Sequence, residues 1–87
     1  MNGEGSGGDA AARVLLLSKP GCHLCDDARH VIEEICAEVG EAYAERDIST
    51  DPELMAQYGE QIPVTFVDGR QHDYWRVSRE RLRAALA

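Results

Sequence analysis

The sequence lacks any run of about 20 apolar residues, the length that a membrane-crossing helix needs. Its first residues hold neither a basic start nor an apolar stretch of secretion-signal length, so the expectation is a soluble, cytoplasmic protein without membrane contact. Basic charge is also scarce. Nine Lys and Arg against 16 Asp and Glu leave a net charge of −7, which argues against a nucleic-acid partner, because phosphate binding needs a basic face. Cysteine is limited to Cys22, Cys25 and Cys36, too few and too odd in number for a secreted disulfide framework. Apolar bulk is missing from "MNGEGSGGDAAA", so residues 1–12 read as a flexible Gly-rich tail that cannot offset its ordering entropy. Residues 13–87 are then one domain, short enough that every element must contribute to a single core.

What is present is a regular alternation of strand and helix patterns. "RVLLLS" (13–18) is a continuous apolar run closed by Pro20 and Gly21, the signature of a central strand buried on both faces. Ala28, Val31, Ile32, Ile35, Cys36 and Val39 recur at spacings of three and four, which predicts an amphipathic helix over 23–39 stopped by Gly40. "AYAERDI" (42–48) alternates as a half-exposed strand does. Asp51 then caps a short helix with Pro52 in its first turn and Gly59 at its end. "PVTFV" (63–67) has strand composition, and Asp68-Gly69 suits a tight hairpin turn into a fourth strand over about 70–77, with Tyr74 and Trp75 on opposite faces. Ser78 caps a last helix with Leu82, Ala85 and Leu86 inward. The order β-α-β-α-β-β-α describes an α/β fold: a parallel crossover, a terminal hairpin, and a four-stranded mixed sheet flanked by three helices.

Charge is uneven along the chain. From Asp26 to Glu60 stand eleven acids and two arginines, whereas from Arg70 to Arg83 stand five arginines and two acids. A field that steers a partner and a solvated helix face both account for this.

The chemistry is concentrated in "SKPGCHLCDDA" (18–28). A thiol reacts as its thiolate, and Cys22 falls just before the helix starting near His23, where unpaired N–H groups and the macrodipole favour negative charge. Lys19 adds a positive charge nearby, as does His23 when protonated, whereas Asp26 and Asp27 oppose the thiolate. Cys25 lies one turn further along, close enough for a disulfide with Cys22. Exposure divides the roles: Cys22 attacks a substrate disulfide, and the buried Cys25 resolves the mixed disulfide. Three other readings remain: a structural zinc site, although four ligands are not found by spacing; an iron–sulfur cluster shared between two subunits with glutathione completing the ligands; and a purely structural pair. Cys36, about 16 Å further along the helix at about 1.5 Å per residue, is a core residue. Pro63, after Ile62, opens a strand that it cannot hydrogen-bond into, and a cis Ile62–Pro63 bond would present the Ile62 backbone to an extended substrate, although these residues alone favour trans.

"SKPGCHLC", "RDIST" and "IPVTFVDG" together resemble the glutaredoxin-like branch of the thioredoxin fold over nearly all of 13–87, and "CHLCDDA" with "YGEQIPV" looks closest to a small, little-characterised glutaredoxin-like subgroup. The resemblance implies a thiol–disulfide oxidoreductase that reduces protein or glutathione mixed disulfides. Catalysis would rest on Cys22 as nucleophile and Cys25 as resolving cysteine, with Lys19 and a cis Pro63 on the substrate side, where the reading of the residues adds His23 and Ile62. It implies a monomer with no tightly bound cofactor or metal, glutathione as a candidate co-substrate, and disulfide-bearing proteins as partners. His23 and Leu24 replace the aromatic usual between the cysteines, and "VDGRQHDYWRVS" lacks the paired glycines that hold glutathione in the family. The alternatives are a redoxin reduced by thioredoxin reductase instead of glutathione, and an iron–sulfur or metal-binding relative without turnover.

Overall fold

Leu15, Leu16 and Leu17 stand consecutively in an extended segment, so their side chains alternate to opposite faces and both faces need cover. The computed structural model, which describes residues 12–87, provides that cover with one sheet and three helices. The elements are β1 (Val14–Ser18), α1 (His23–Val39), β2 (Tyr43–Asp47), α2 (Pro52–Tyr58), β3 (Val64–Val67), β4 (Arg70–Tyr74) and α3 (Arg79–Leu86). Strand order is β2-β1-β3-β4, with β1 parallel to β2 and antiparallel to β3, and β4 antiparallel to β3. The expected order of elements and the mixed four-stranded sheet are therefore present. Of the tail expected over 1–12, residues 1–11 lie outside the described residues.

Each face of β1 has its own core. Val14 and Leu16 join Ala28, Val31, Ile32, Ile35 and Cys36 of α1 and Leu82 and Leu86 of α3. Leu15 and Leu17 join Ile48, Ile62 and Val64 with Leu54, Met55 and Tyr58 of α2, and the first turn of α1 reaches this second cluster through Cys22 and Cys25. Cys36 is 3% exposed in the first cluster, the core position expected of it.

Local chemistry sets the ends. Gly40 closes α1 in the left-handed region (φ 78°), and its N–H and that of Glu41 both bond the Cys36 carbonyl at 2.9 Å. Asp68 (φ 53°) and Gly69 (φ 81°) form the hairpin turn with two positive φ values, the requirement that Asp-Gly meets. Arg13 ties that turn down. Its guanidinium makes two 2.9 Å bonds to Asp68, one to Glu41 at 3.2 Å, and others to the carbonyls of Ala85 and Leu86 at the negative end of α3.

The uneven charge of the sequence has an internal explanation. Arg79 holds Glu34 at 3.0 Å and Arg83 holds Glu38, so the basic face of α3 pairs with the acidic face of α1.

The fourth strand differs from its expected length and facing. It stops at Tyr74 because Trp75 turns into the left-handed region (φ 64°) and Arg76 N–H bends back to the Tyr74 carbonyl at 2.8 Å. Tyr74 and Trp75 therefore do not alternate between core and solvent: each is 50% exposed, with ring centroids 5.1 Å apart in edge-to-face contact.

Ile32 is fully buried between β1 and α3. Ile32→Ala is expected to cost about 2–5 kcal/mol, lowering the denaturant midpoint at unchanged slope, with the slope reporting an unaltered unfolded state.

Candidate functional site

The site forms where β1 hands the chain to α1. Pro20 and Gly21 (φ 74°) turn the backbone, and Cys22 becomes the N-cap residue of α1, in extended conformation. Its sulfur does what a Ser or Asp oxygen does at most helix starts: it accepts the Cys25 backbone N–H, at 3.2 Å. That contact fixes the Cys22 side chain at the positive end of a 17-residue helix.

Cys25 is 1% exposed, and both cysteines are free thiols. Burial pushes the Cys25 thiol up to about 12. Its hydrogen bond to Cys22 and the nearby Cys22 charge add to this, against a hydrogen bond from the Lys19 backbone and the Arg29 charge. Burial raises the Cys36 thiol as well. The pair thus combines a half-exposed sulfur at a helix tip with a protonated one directly behind it.

The other residues expected here divide into two groups. Ile62 is 7% exposed and packs in the same cluster as Cys22 and Cys25, and the buried Pro63 follows it through a cis peptide bond. Cis is the state implied by the family resemblance and the rarer one for these residues taken alone. Lys19 and His23 are exposed on either side of Cys22, outside that cluster. Neither has an ion-pair partner among the described residues.

Two features were not foreseen from the sequence. First, Asp26 does not act on the thiols as a free carboxylate. Arg29 takes it at 2.7 Å, together with Glu45 of β2 at 2.6 Å, and Glu45 accepts the buried Ser18 hydroxyl at 2.7 Å. The three-residue spacing of Asp26 and Arg29 was the available signal; the share of Glu45 comes only from the β1–β2 register. Second, Trp75 is tied to the Pro63 segment twice. Its backbone N–H donates to the Pro63 carbonyl at 2.7 Å and its indole N–H to the Glu60 carbonyl at 3.1 Å. No sequence pattern announces a tryptophan in left-handed conformation, which bulky residues seldom adopt.

Among the described residues no group of three or more His, Cys, Asp or Glu side chains is arranged to hold a metal ion, so a shared cluster would need ligands from beyond them. Nor is any described helix long and apolar enough to cross a membrane.

Comparison with known proteins agrees with this geometry. Residues 13–87 match the family described as Glutaredoxin-like domain (DUF836). Uncharacterized proteins of Mycobacterium bovis and Mycobacterium tuberculosis are each 35% identical over 80 residues, covering 86% of this chain and 82% of theirs. The X-ray structure of a structural-genomics target protein from X. campestris matches with a TM-score of 0.71 at 32% identity, covering 84% of this chain and 93% of that one. Fasciola hepatica thioredoxin matches in fold, with a TM-score of 0.56 at 21% identity over 90% of this chain and 83% of its own.

Exposure predicts the order of thiol labelling. Iodoacetamide at pH 8 is expected to add one group to the native reduced protein, at Cys22. Cys25 and Cys36 should react only after unfolding, as read by intact mass and peptide mapping. The Arg29–Glu45 pair predicts an acid dependence. Arg29 holds the Glu45 carboxyl below its ordinary value of 4.5, so the stability it contributes is complete above that value and is lost as pH falls through the lower folded one. Arg29→Met should therefore lower stability at pH 7 by about 1 kcal/mol, with the difference from the parent shrinking below about pH 4 in urea titrations.

Proposed function

The chain belongs to the glutaredoxin-like domain family, and from that premise we propose that it is a thiol–disulfide oxidoreductase working through Cys22 and Cys25. The observation that carries this reading is the Cys22 sulfur itself, half-exposed, capping α1 and accepting the Cys25 N–H, with the buried Cys25 thiol behind it. A sulfur held where negative charge is favoured is prepared to act as a nucleophile.

The reaction proceeds in two exchanges. The Cys22 thiolate attacks one sulfur of a substrate disulfide, forming a Cys22–substrate disulfide and expelling the other substrate sulfur as a thiolate, which takes up a proton. Cys25 then loses its proton and attacks the Cys22 sulfur. The Cys22–Cys25 disulfide forms and the second substrate thiolate leaves. Two electrons pass from the dithiol to the substrate, and a thiol reductant, either two glutathiones or a thioredoxin-reductase-linked dithiol, returns the pair to the reduced state. Forming the mixed disulfide removes both the Cys22 charge and the acceptor of the Cys25 hydrogen bond, two of the three influences that hold the Cys25 proton.

Lys19 and His23 supply positive charge beside the attacking sulfur, while Ile62, followed by the cis Pro63, offers its backbone as the polar edge along which an extended substrate lies. Disulfide-bearing proteins or glutathione mixed disulfides are the substrates. Reducing, cytoplasmic conditions suit a close cysteine pair with one further cysteine in the core, too few for a secreted disulfide framework. The chain works as a monomer, since both sulfurs and that edge come from one copy.

Cys22→Ser is expected to reduce disulfide exchange to the buffer rate. Cys25→Ser should still attack but accumulate a one-to-one mixed disulfide visible by intact mass. Exchange by Cys22→Ser at the parental rate would overturn the assignment. Equilibration in graded glutathione redox buffers gives the midpoint and thereby distinguishes the two reductants.

A further inference from the structure

Trp75 is the one tryptophan of the chain, and with Tyr74 it forms the pair of large apolar side chains left exposed among the described residues. Exposed aromatics standing singly need no explanation, but these two touch each other, and Trp75 is hydrogen-bonded to Pro63, the residue after Ile62 of the dithiol's own cluster. Their placement is over-determined. A backbone conformation rare for a bulky residue is retained at Trp75 by two bonds to the Glu60–Pro63 segment, and such conformations concentrate where function requires them. Those bonds use the backbone N–H and the indole N–H, leaving the ring itself half open.

Next to this pair stands Arg76, exposed and with no carboxylate partner among the described residues, whereas Arg79, Arg81 and Arg83 of the following helix are all paired. Arg76 lines a cleft of about 370 Å³ with Asp27 and His30 of α1, the helix whose first turn carries the dithiol. From Pro63 the chain thus leads through an aromatic pair to Arg76, a cation that has no salt bridge among the described residues and shares its cleft with Asp27.

We infer that Trp75, with Tyr74 and Arg76, selects the substrate: a polypeptide disulfide whose cysteine is followed by a large apolar residue and then by an acidic one. The apolar side chain lies on the Trp75 and Tyr74 rings while its disulfide is presented to Cys22, and the carboxylate meets Arg76. This rests on the oxidoreductase reading and adds the substrate class. Aromatic contact supplies the larger part of the selection, because an exposed ion pair at a rim contributes little and is weakened by salt.

The test uses three peptides in symmetric disulfide form, identical except for Phe-Asp, Phe-Lys or Gly-Gly after the cysteine. Phe-Asp is expected to exceed Gly-Gly about tenfold in kcat/KM, carried by KM, a ratio equivalent to about 1.4 kcal/mol. It should exceed Phe-Lys about threefold at low salt, with that margin lost in Arg76→Glu or in 0.5 M salt. Trp75→Ser should bring the Phe-Asp to Gly-Gly ratio near one, and Trp75→Phe, which keeps an aromatic face and the backbone bond, should restore most of it. A second readout is independent of turnover. In the Cys25→Ser protein linked through Cys22 to each peptide, indole emission should shift to the blue with the two Phe peptides and stay unchanged with Gly-Gly. Equal kcat/KM for Phe-Asp and Gly-Gly in the parent protein, or no emission shift in either Phe adduct, overturns the inference while leaving the oxidoreductase reading intact. Equal rates for Phe-Asp and Phe-Lys at low salt overturn the part assigned to Arg76. Failure of the parent protein to reduce any of the three peptides or a small neutral disulfide removes the oxidoreductase reading and this inference with it.

Discussion

The structure depends on one constraint, that β1 is apolar on both faces. A strand of that kind is stable only at the centre of a sheet with cover above and below, and the cover here comes from three helices drawn to two clusters, α1 and α3 on one side and α2 on the other. A parallel partner for β1 requires a crossover, and α1 is that crossover. The start of α1 is thereby fixed at the carboxyl end of a buried strand, where the Pro20-Gly21 turn leaves Cys22 at the helix tip. The same strand that organises the core also sets the address of the Cys22 sulfur.

Electrostatics arranges what burial leaves free. The acidic excess of α1 is met partly from α3, whose Arg79 and Arg83 hold Glu34 and Glu38, and partly from within the helix, where Arg29 holds Asp26 and also reaches Glu45 of β2. These contacts are mostly exposed, so each adds little to stability. Their combined effect is to pair most carboxylates of the helix, whereas Lys19, Asp27 and Arg76 have no salt bridge among the described residues.

Specificity is the province of the corner at Trp75. The hairpin could have ended in the loop that strand composition predicts, with its aromatic residues divided between the two faces. Instead a left-handed tryptophan redirects the chain, anchors the segment around Pro63 and leaves two aromatic rings exposed beside it. A hydrogen bond from a backbone N–H to a carbonyl twelve residues away has no trace in local pattern, and positive φ is foreseeable mainly for Gly, Asn and Asp. Asp68-Gly69 was therefore legible as a turn, whereas Trp75 was not.

The sequence by itself determined the order of elements, because period 3.6 in "ARHVIEEICAEV", continuous apolarity in "VLLL" and the caps at Asp51 and Ser78 are local signals with local causes. It also determined the pairing of Cys22 with Cys25, since a three-residue spacing at a helix start leaves the two sulfurs adjacent in any packing of that helix, and it placed Cys36 in the core by its position on the apolar stripe. The tertiary structure decided what depends on residues far apart along the chain. Burial of Cys25 among Leu17, Ile48 and Ile62 separates the two thiols in reactivity. Arg29 takes up the Asp26 carboxylate, and the Trp75 corner is bonded to the segment that carries Pro63. Spacing along a helix is fixed by covalent geometry and hydrogen bonding within about one turn, but solvation, ion pairing and backbone conformation at a corner follow from which surfaces meet, and only the assembled sheet brings those surfaces together.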